Sequence, residues 1–426
     1  MLLWLGVIIV VLAFVAIIKQ YEVRAVLFGA GLVMCLMAGH PLAAFDSFSK
    51  MLVSGWLVPI IVCAMGFAQV ITLTECDKHF SYFALRHVLK FKAFLIPGTV
   101  IVTWILAMAM NSPAGLAATV GPIIIPVLIR AGIHPAMAGA TLLVATWGGC
   151  ASISSPHIAL ITGFSHSDVA DVVIRTFPAA MAVLVVCSIG MVITAKFKKE
   201  NKGYQLNNGQ TAEDVTREIN SFKVNYLKVL MPLLPLILLI LGSKQVDLIY
   251  RFSIPQVMLF CTILTFIVTW TSPFEVSKRF CKGMGEGFGS IVSIIAAAAV
   301  FTAGMNEIGL INVLLEAMKS SESLAKFAGS WGPFAIAALS GSGDAATMAF
   351  NNAITPHAPT IGLDIDLLGM TAYYGGSLGR TISPVAGVCI ILAGAAGVSP
   401  LELSKRVIPT CVVGNFVALL VLQYIL

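Results

Sequence analysis

Arg380 lies inside a long apolar stretch, after Gly375-Gly376-Ser377-Leu378-Gly379 and before Thr381-Ile382-Ser383-Pro384. A guanidinium at the centre of a membrane costs roughly 2.5–3.5 kcal/mol on insertion scales, so it needs an anionic partner. Its planar fork matches a carboxylate in two parallel hydrogen bonds. Two partners fit. One is the carboxylate of a bound solute. The other is Asp344, the acidic residue of the polar stretch Gly341-Ser342-Gly343-Asp344-Ala345. Asp344 can also bind a proton or help coordinate a cation. Burial raises a carboxylate's pKa and a nearby arginine lowers it, so the sequence leaves its charge state open. His157, next to Pro156, can titrate near neutral pH and is a second proton candidate. A structural histidine beside a proline is the alternative.

The polar residues around these groups recur in a pattern. Met110-Asn111-Ser112-Pro113-Ala114 interrupts one hydrophobic region, and Gly341-Ser342-Gly343-Asp344-Ala345 interrupts another 230 residues later. Trp147-Gly148-Gly149-Cys150-Ala151-Ser152-Ile153-Ser154-Ser155-Pro156 matches Tyr374-Gly375-Gly376-Ser377-Leu378-Gly379-Arg380-Thr381-Ile382-Ser383-Pro384 at an offset of 228 between the prolines. Any single Ser or Thr here reads as a helix hydroxyl bonded to its own backbone. Clustering at four matched interruptions reads as a site. The candidate solute-binding residues are Asn111, Ser112, Gly149, Ser154 and Ser155 in the first copy. In the second they are Ser342, Gly343, Gly376, Ser377, Arg380, Thr381 and Ser383. Ser152 adds a donor. Gly148, Gly149, Gly375 and Gly376 are expected to permit non-helical angles and close approach of a ligand. Asn351 and Asn352 follow the second tip, and His134 and His357 fall at expected loop ends.

Positioning such groups requires helices. Of the 426 residues 58% are hydrophobic and 11% charged, with a mean hydropathy of +0.95; soluble domains carry roughly 25% charged residues. The chain therefore reads as an all-α polytopic membrane protein embedded in a lipid bilayer. A span needs about 20 apolar residues. Candidate spans are 2–18, 23–38, 55–73, 137–164 and 172–195 in a first copy (1–195), and 229–242, 254–271, 287–305, 367–396 and 407–425 in a second (229–426). Each copy adds two shorter apolar stretches around its polar tip, 94–110 with 115–129 and 331–340 with 346–356. These read as re-entrant hairpins, with ordinary crossing helices as the alternative. Segments 75–92 and 306–328 read as amphipathic arms near the membrane surface.

The polar segment 196–228 is expected to be a flexible cytoplasmic linker. With it inside, the loops on its side hold 19 of the 26 Lys and Arg residues, as the positive-inside rule requires. Five crossings per copy invert the second copy relative to the first. Matched broken helices in inverted repeats point to a carrier's binding site near the midplane.

Other functions are less compatible with the sequence. The charge of +6 sits in short loops, so nucleic acid is not an expected partner. Nine scattered cysteines show no metal-ligand spacing, so no metal is expected. No GxxxxGK[ST] loop is present, so ATP is not expected to drive transport. Residues 2–18 lack a basic start and a cleavage site and read as a retained span. An intramembrane hydrolase would need a serine with a base, and Ser342 near Asp344 is the only such pair.

Gly341-Ser342-Gly343-Asp344-Ala345, Leu378-Gly379-Arg380-Thr381-Ile382-Ser383-Pro384-Val385-Ala386-Gly387-Val388 and Val398-Ser399-Pro400-Leu401-Glu402-Leu403-Ser404-Lys405-Arg406 resemble the DcuC family of anaerobic four-carbon dicarboxylate carriers. Ser112-Pro113-Ala114-Gly115-Leu116 resembles that family's first hairpin tip. The chain departs from the resemblance at Asp344, where an Asn is expected. The resemblance runs through nearly the whole chain and is most specific in the second copy. It implies a member of the ion transporter superfamily: a homodimer in a bacterial inner membrane, with a scaffold and an elevator-type transport domain (about 93–195 and 329–426). It implies fumarate, succinate, malate or aspartate as substrate.

The expected function is thus secondary transport of small organic anions, by antiport or by symport coupled to H+ or Na+, with no enzyme activity and no cofactor. The alternatives are a cation/proton exchanger working through Asp344 and His157, a carrier for a different carboxylate, or a passive channel.

Overall fold

Backbone N–H and C=O groups have no water to bond in lipid, so apolar runs of this length must close their hydrogen bonds within helices. The computed structural model describes residues 2–89, 94–110, 112–204, 221–243, 246–319 and 322–426, and among these it is all-helical, with no strand.

The N-terminal half contains α1 (Leu2–Ile18), α2 (Val23–Met37), α3 (Pro41–Leu52), α4 (Val58–Leu73), α5 (Cys76–Leu89) and α6 (Leu95–Ala109). They are followed by α7 (Pro113–Arg130), α8 (Pro135–Leu143), a 3-10 turn at Gly148–Ala151, α9 (Pro156–Ser165) and α10 (Val169–Phe197). The C-terminal half starts with α11 (Tyr226–Leu230), α12 (Leu234–Leu241), α13 (Ile254–Thr269) and α14 (Pro273–Gly287). A π turn at Phe288–Val292 joins α14 to α15 (Ser293–Glu307). Next are α16 (Leu310–Lys319), α17 (Glu322–Ser340), α18 (Gly343–Ala353) and a 3-10 turn at Thr355–Ile361. The chain then forms α19 (Ile365–Ile382), α20 (Gly387–Ala396) and α21 (Pro400–Leu420), and a π turn at Val421–Ile425. Many starts carry proline in the first turn, where its missing N–H is not needed; α7, α9, α14 and α21 are examples.

Six helical stretches among the described residues are long and apolar enough to cross a membrane, seven if the bent pair Val58–Leu73 and Cys76–Phe83 is one span. That is fewer than five per copy. Leu2–Ile18, Val23–Met37 and Ile254–Thr269 are apolar but shorter. The expected span 229–242 is broken into α11 and α12 at Met231-Pro232-Leu233, since Pro232 cannot donate to the helix ladder. The stretch 272–286, counted above among the loops on the linker's side, is the helix α14. Its apolar side buries Val276 and Phe280 against α4, and its polar side stays exposed.

Helices from the two halves interlock through small residues, which let backbones approach closely. A Cβ at Gly31 of α2 would lie 2.4 Å from the Val300 carbonyl oxygen of α15, and one at Gly283 of α14 would lie 2.4 Å from the Met65 oxygen of α4. Both ends of segment 196–228 are held. Arg406 of α21, nearly buried, bonds Glu200 through Nε (2.8 Å) and Nη2 (2.5 Å) and Glu402 through Nη1 (2.8 Å). At the far end Phe222 stacks on Tyr82 at 4.2 Å, and the Asn225 N–H donates to His79 Nδ1 at 3.1 Å. Residues 205–220 lie outside the described residues.

The second helix break is not where the glycines suggest. Gly375, Gly376 and Gly379 lie inside the continuous α19, and the break falls at Ser383–Ala386. The glycines serve packing: a Cβ would come within 2.2 Å of the Ser330 oxygen at Gly375, 2.1 Å of Thr347 Oγ1 at Gly376, and 2.2 Å of the Phe334 oxygen at Gly379. Gly379→Ala should lower the melting temperature of the detergent-solubilised protein, since overpacking costs about 1–3 kcal/mol. Gly394→Ala in α20, with open space around its Cβ position, should leave it unchanged or raise it. Equal shifts at the two positions would show that close packing of α19 is not what the glycines provide.

Candidate functional site

The α6–α7, α8–α9 and α17–α18 interruptions meet at a cavity of about 260 Å³. Met110, Ser112 and Pro113 line it from the α6–α7 tip, and Thr146, Trp147, Gly149, Ser155, Pro156 and His157 from the α8–α9 break. Asp344 and Met348 of α18 and Tyr373, Ser377 and Arg380 of α19 form the facing wall. Met65 of α4, Ser290 and Ile291 of the π turn, and Ile294 of α15 close it from the other side. The first turns of α7, α9 and α18 therefore open on one space. Their free N–H groups and partial positive charge favour an anion there.

The charged groups of the second half are anchored on the first break. His157 Nε2 and Asp344 Oδ1 are 2.9 Å apart; the histidine side chain is 4% exposed and the aspartate 70%, because its carboxylate faces the cavity. The His157 ring stacks on Tyr373 at 4.2 Å, and Ser155 Oγ donates to the Tyr373 hydroxyl at 2.9 Å. His157 Nδ1 is buried without a partner among the described residues. Arg380 donates from Nη2 to the Thr146 carbonyl at 3.3 Å. No ion pair joins Arg380 to Asp344; the aspartate is paired with His157 instead. The structural Arg380–Asp344 pair is therefore not formed in this conformation, and the rest of the guanidinium has no protein acceptor among the described residues.

Seven of the sequence candidates share this cavity: Ser112, Gly149, Ser155, His157, Asp344, Ser377 and Arg380. The others lie elsewhere, and Asn111 is outside the described residues. Ser112 and Ser342 are N-caps, accepting from the Gly115 N–H (3.1 Å) and the Ala345 N–H (3.3 Å). Such caps satisfy a donor that lipid would leave unpaired. Capping also takes Ser342 away from any nucleophile–base arrangement with Asp344. Ser154 bonds Ser152 at 3.0 Å, and both line a separate cavity of about 20 Å³ toward α12 and α13. Gly343 and Gly376 are where α18 and α19 touch: a Cβ on Gly343 would lie 2.7 Å from the Gly376 oxygen. Thr381 Oγ1 donates to the Ser377 carbonyl of its own helix at 2.8 Å. Ser383 is fully buried at the second break, its hydroxyl without a partner among the described residues.

Sequence reasoning missed Tyr373, Trp147 and Thr146. An aromatic next to a glycine pair inside an apolar run carries no signal of its own; only the match of Trp147 to Tyr374 marked the region. It also missed Gln20. This residue adopts a left-handed φ of 67° in the α1–α2 turn and donates from Nε2 to the Ser340 carbonyl, at 2.6 Å, just before the second tip.

The family described as "C4-dicarboxylate anaerobic carrier", DcuC, matches residues 1–425. The chain belongs to the DcuC family. It is 36% identical over 264 residues to a putative uncharacterized transporter of Haemophilus influenzae, covering 61% of this chain and 94% of that protein. It is 25% identical over a 468-residue alignment to the anaerobic C4-dicarboxylate transporter DcuC of Escherichia coli K12, covering 97% and 94% of the two chains. A probable anaerobic C4-dicarboxylate transporter DcuC of Vibrio cholerae is 24% identical over 443 residues, covering 92% and 90%. Membership makes this a multi-pass membrane transporter, a class distinct from enzymes.

Within this DcuC-family site the Ser155–Tyr373 bond is a measurable coupling. Ser155→Ala and Tyr373→Phe, each alone and together, should give a double-mutant cycle in thermal stability with a coupling of about 1 kcal/mol. Strict additivity would show that the bond does not order the cavity wall.

Proposed function

We propose that this chain is a secondary carrier of small organic anions, foremost four-carbon dicarboxylates, working by exchange or by coupling to H+ or Na+ in a bacterial inner membrane. The observation that carries the reading is the Arg380 fork. It faces a cavity ringed by three helix N-termini, and its one recorded bond is to a carbonyl. A bound carboxylate supplies the missing acceptor and is held by the fork in two parallel bonds. Ser377 and the α7 and α9 N-termini are placed to meet further oxygens. The names of the Escherichia coli and Vibrio cholerae relatives agree with this substrate class.

In this reading the two halves are inverted repeats, each with a re-entrant hairpin, α6–α7 and α17–α18. The hairpins, α8–α10 and α19–α21 form a transport domain that moves as a unit against a scaffold in a homodimer. The Gln20–Ser340 bond then joins scaffold to tip in one end state. Gln20→Ala should shift the population away from this conformation, read as altered labelling of a cysteine introduced at Ser290. Labelling identical to wild type would remove Gln20 from the transition.

The His157–Asp344 pair favours a second reading, a cation/proton exchanger with no organic substrate. Uptake of labelled succinate, fumarate, malate and aspartate into proteoliposomes decides between them. Preload-dependent uptake that Arg380→Ala abolishes and Arg380→Lys leaves strongly reduced, with both variants folded, supports the carrier. Proton or sodium flux that is indifferent to every organic anion supports the exchanger.

A further inference from the structure

The walls of the cavity carry one fixed cation and one fixed anion. Arg380 projects from α19 and Asp344 from the first turn of α18, and both line the same space. No ion pair joins them, although they share this lining. Each is instead held on the α8–α9 break: Arg380 by the Thr146 carbonyl, Asp344 by His157. His157 uses Asp344 Oδ1, which leaves Oδ2 without a recorded partner, and the side chain is 70% exposed to the cavity. The site thus presents a donor fork on one element and a free carboxylate oxygen on another.

We propose that Asp344 makes this site select a substrate with an ammonium group beside its carboxylate, a small α-amino acid, over the same carbon skeleton without the amine. The inference rests on the carrier reading above and narrows its substrate class. Charge decides the point. As fixed charges Arg380 and Asp344 cancel, and the helix N-termini add a partial positive charge. A dicarboxylate without an amine brings two negative charges, which Arg380 and the helix N-termini must meet against the opposing charge of Asp344. It also places a carboxylate near Asp344, and like charges sharing one cavity oppose each other. An α-amino dicarboxylate brings one net negative charge, which needs less compensation from the walls. Its ammonium has Asp344 as acceptor and its carboxylate has Arg380 as donor. A substrate without the amine leaves the Asp344 oxygen desolvated and unmatched, and sites built to bond a polar group reject analogues that lack it. Among the described residues Asp344 is the only carboxylate of this lining; the other side-chain oxygens that could accept from an ammonium are neutral hydroxyls, such as those of Ser290 and Ser377.

L-Aspartate and succinate differ only by the amino group and form the matched probes. Both are measured, labelled, in counterflow into proteoliposomes holding the full chain, for wild type and Asp344→Asn. The expected result is uptake of aspartate at least about tenfold faster than succinate in wild type, with the ratio falling toward one in Asp344→Asn. Succinate carried as well as aspartate by wild type overturns the proposal. A ratio unchanged in Asp344→Asn overturns it too, and if the substitution removes only proton or sodium dependence, Asp344 serves coupling rather than selection. If folded wild type moves neither probe, nor fumarate or malate, the carrier reading itself fails. Should Asp344→Asn not fold, ligand-dependent melting of wild type decides: a larger upward shift with aspartate than with succinate supports the proposal, and an equal or smaller one overturns it.

Discussion

Lipid offers no hydrogen bonds, and this structure depends on that constraint at every interruption of its helices. Backbone that leaves the helix ladder at membrane depth must be satisfied by protein or by a water-filled space. The α6–α7 tip, the α17–α18 tip and the α8–α9 break each carry such backbone. Ser112 and Ser342 cap two of the helices that restart there, and Ser155 precedes the third. Bringing the interruptions together concentrates polar groups in one cavity and leaves lipid-facing surfaces of continuous helix. The cavity is a consequence of gathering what the membrane would not tolerate dispersed.

The same constraint explains how charge is held. Arg380 and Asp344 arise in the second half, and both find their protein partners in the α8–α9 break of the first. Each of these two charges is held by a residue of the other half. The halves interlock elsewhere by glycine contacts, so the cavity wall and the helix packing are coupled. Gly376 shows this directly. It lies one residue before Ser377, which faces the cavity, while its own missing side chain admits Thr347 of α18.

Membership in the DcuC family accounts for the class of the protein, a membrane transporter. The second tip of this chain carries a carboxylate with a histidine partner. A carrier with one fixed anion and one fixed cation in its cavity treats charge differently from one with cations alone. The pair also crosses from one half to the other, so motion of the second tip must break it or carry the first break along.

Much of the site was legible in order of residues alone. Polar interruptions of apolar runs at offsets of 230 and 228, and an arginine with no neighbour of opposite charge, located Arg380, Asp344, His157, Ser155 and Ser377, because lipid makes such residues costly unless they are used. The sequence also determined that the chain is helical and membrane-embedded, since apolar length and low charge allow little else. Tertiary structure decided the rest. A glycine reads the same whether it frees the backbone or admits a neighbouring helix, so α19 was expected to break at Gly375-Gly376 and instead runs on to Ile382. The partner of Asp344 was equally undetermined. Arg380 and His157 are both suitable by chemistry, and only the approach of α9 to α18 places His157 Nε2 at 2.9 Å and leaves the arginine facing the cavity.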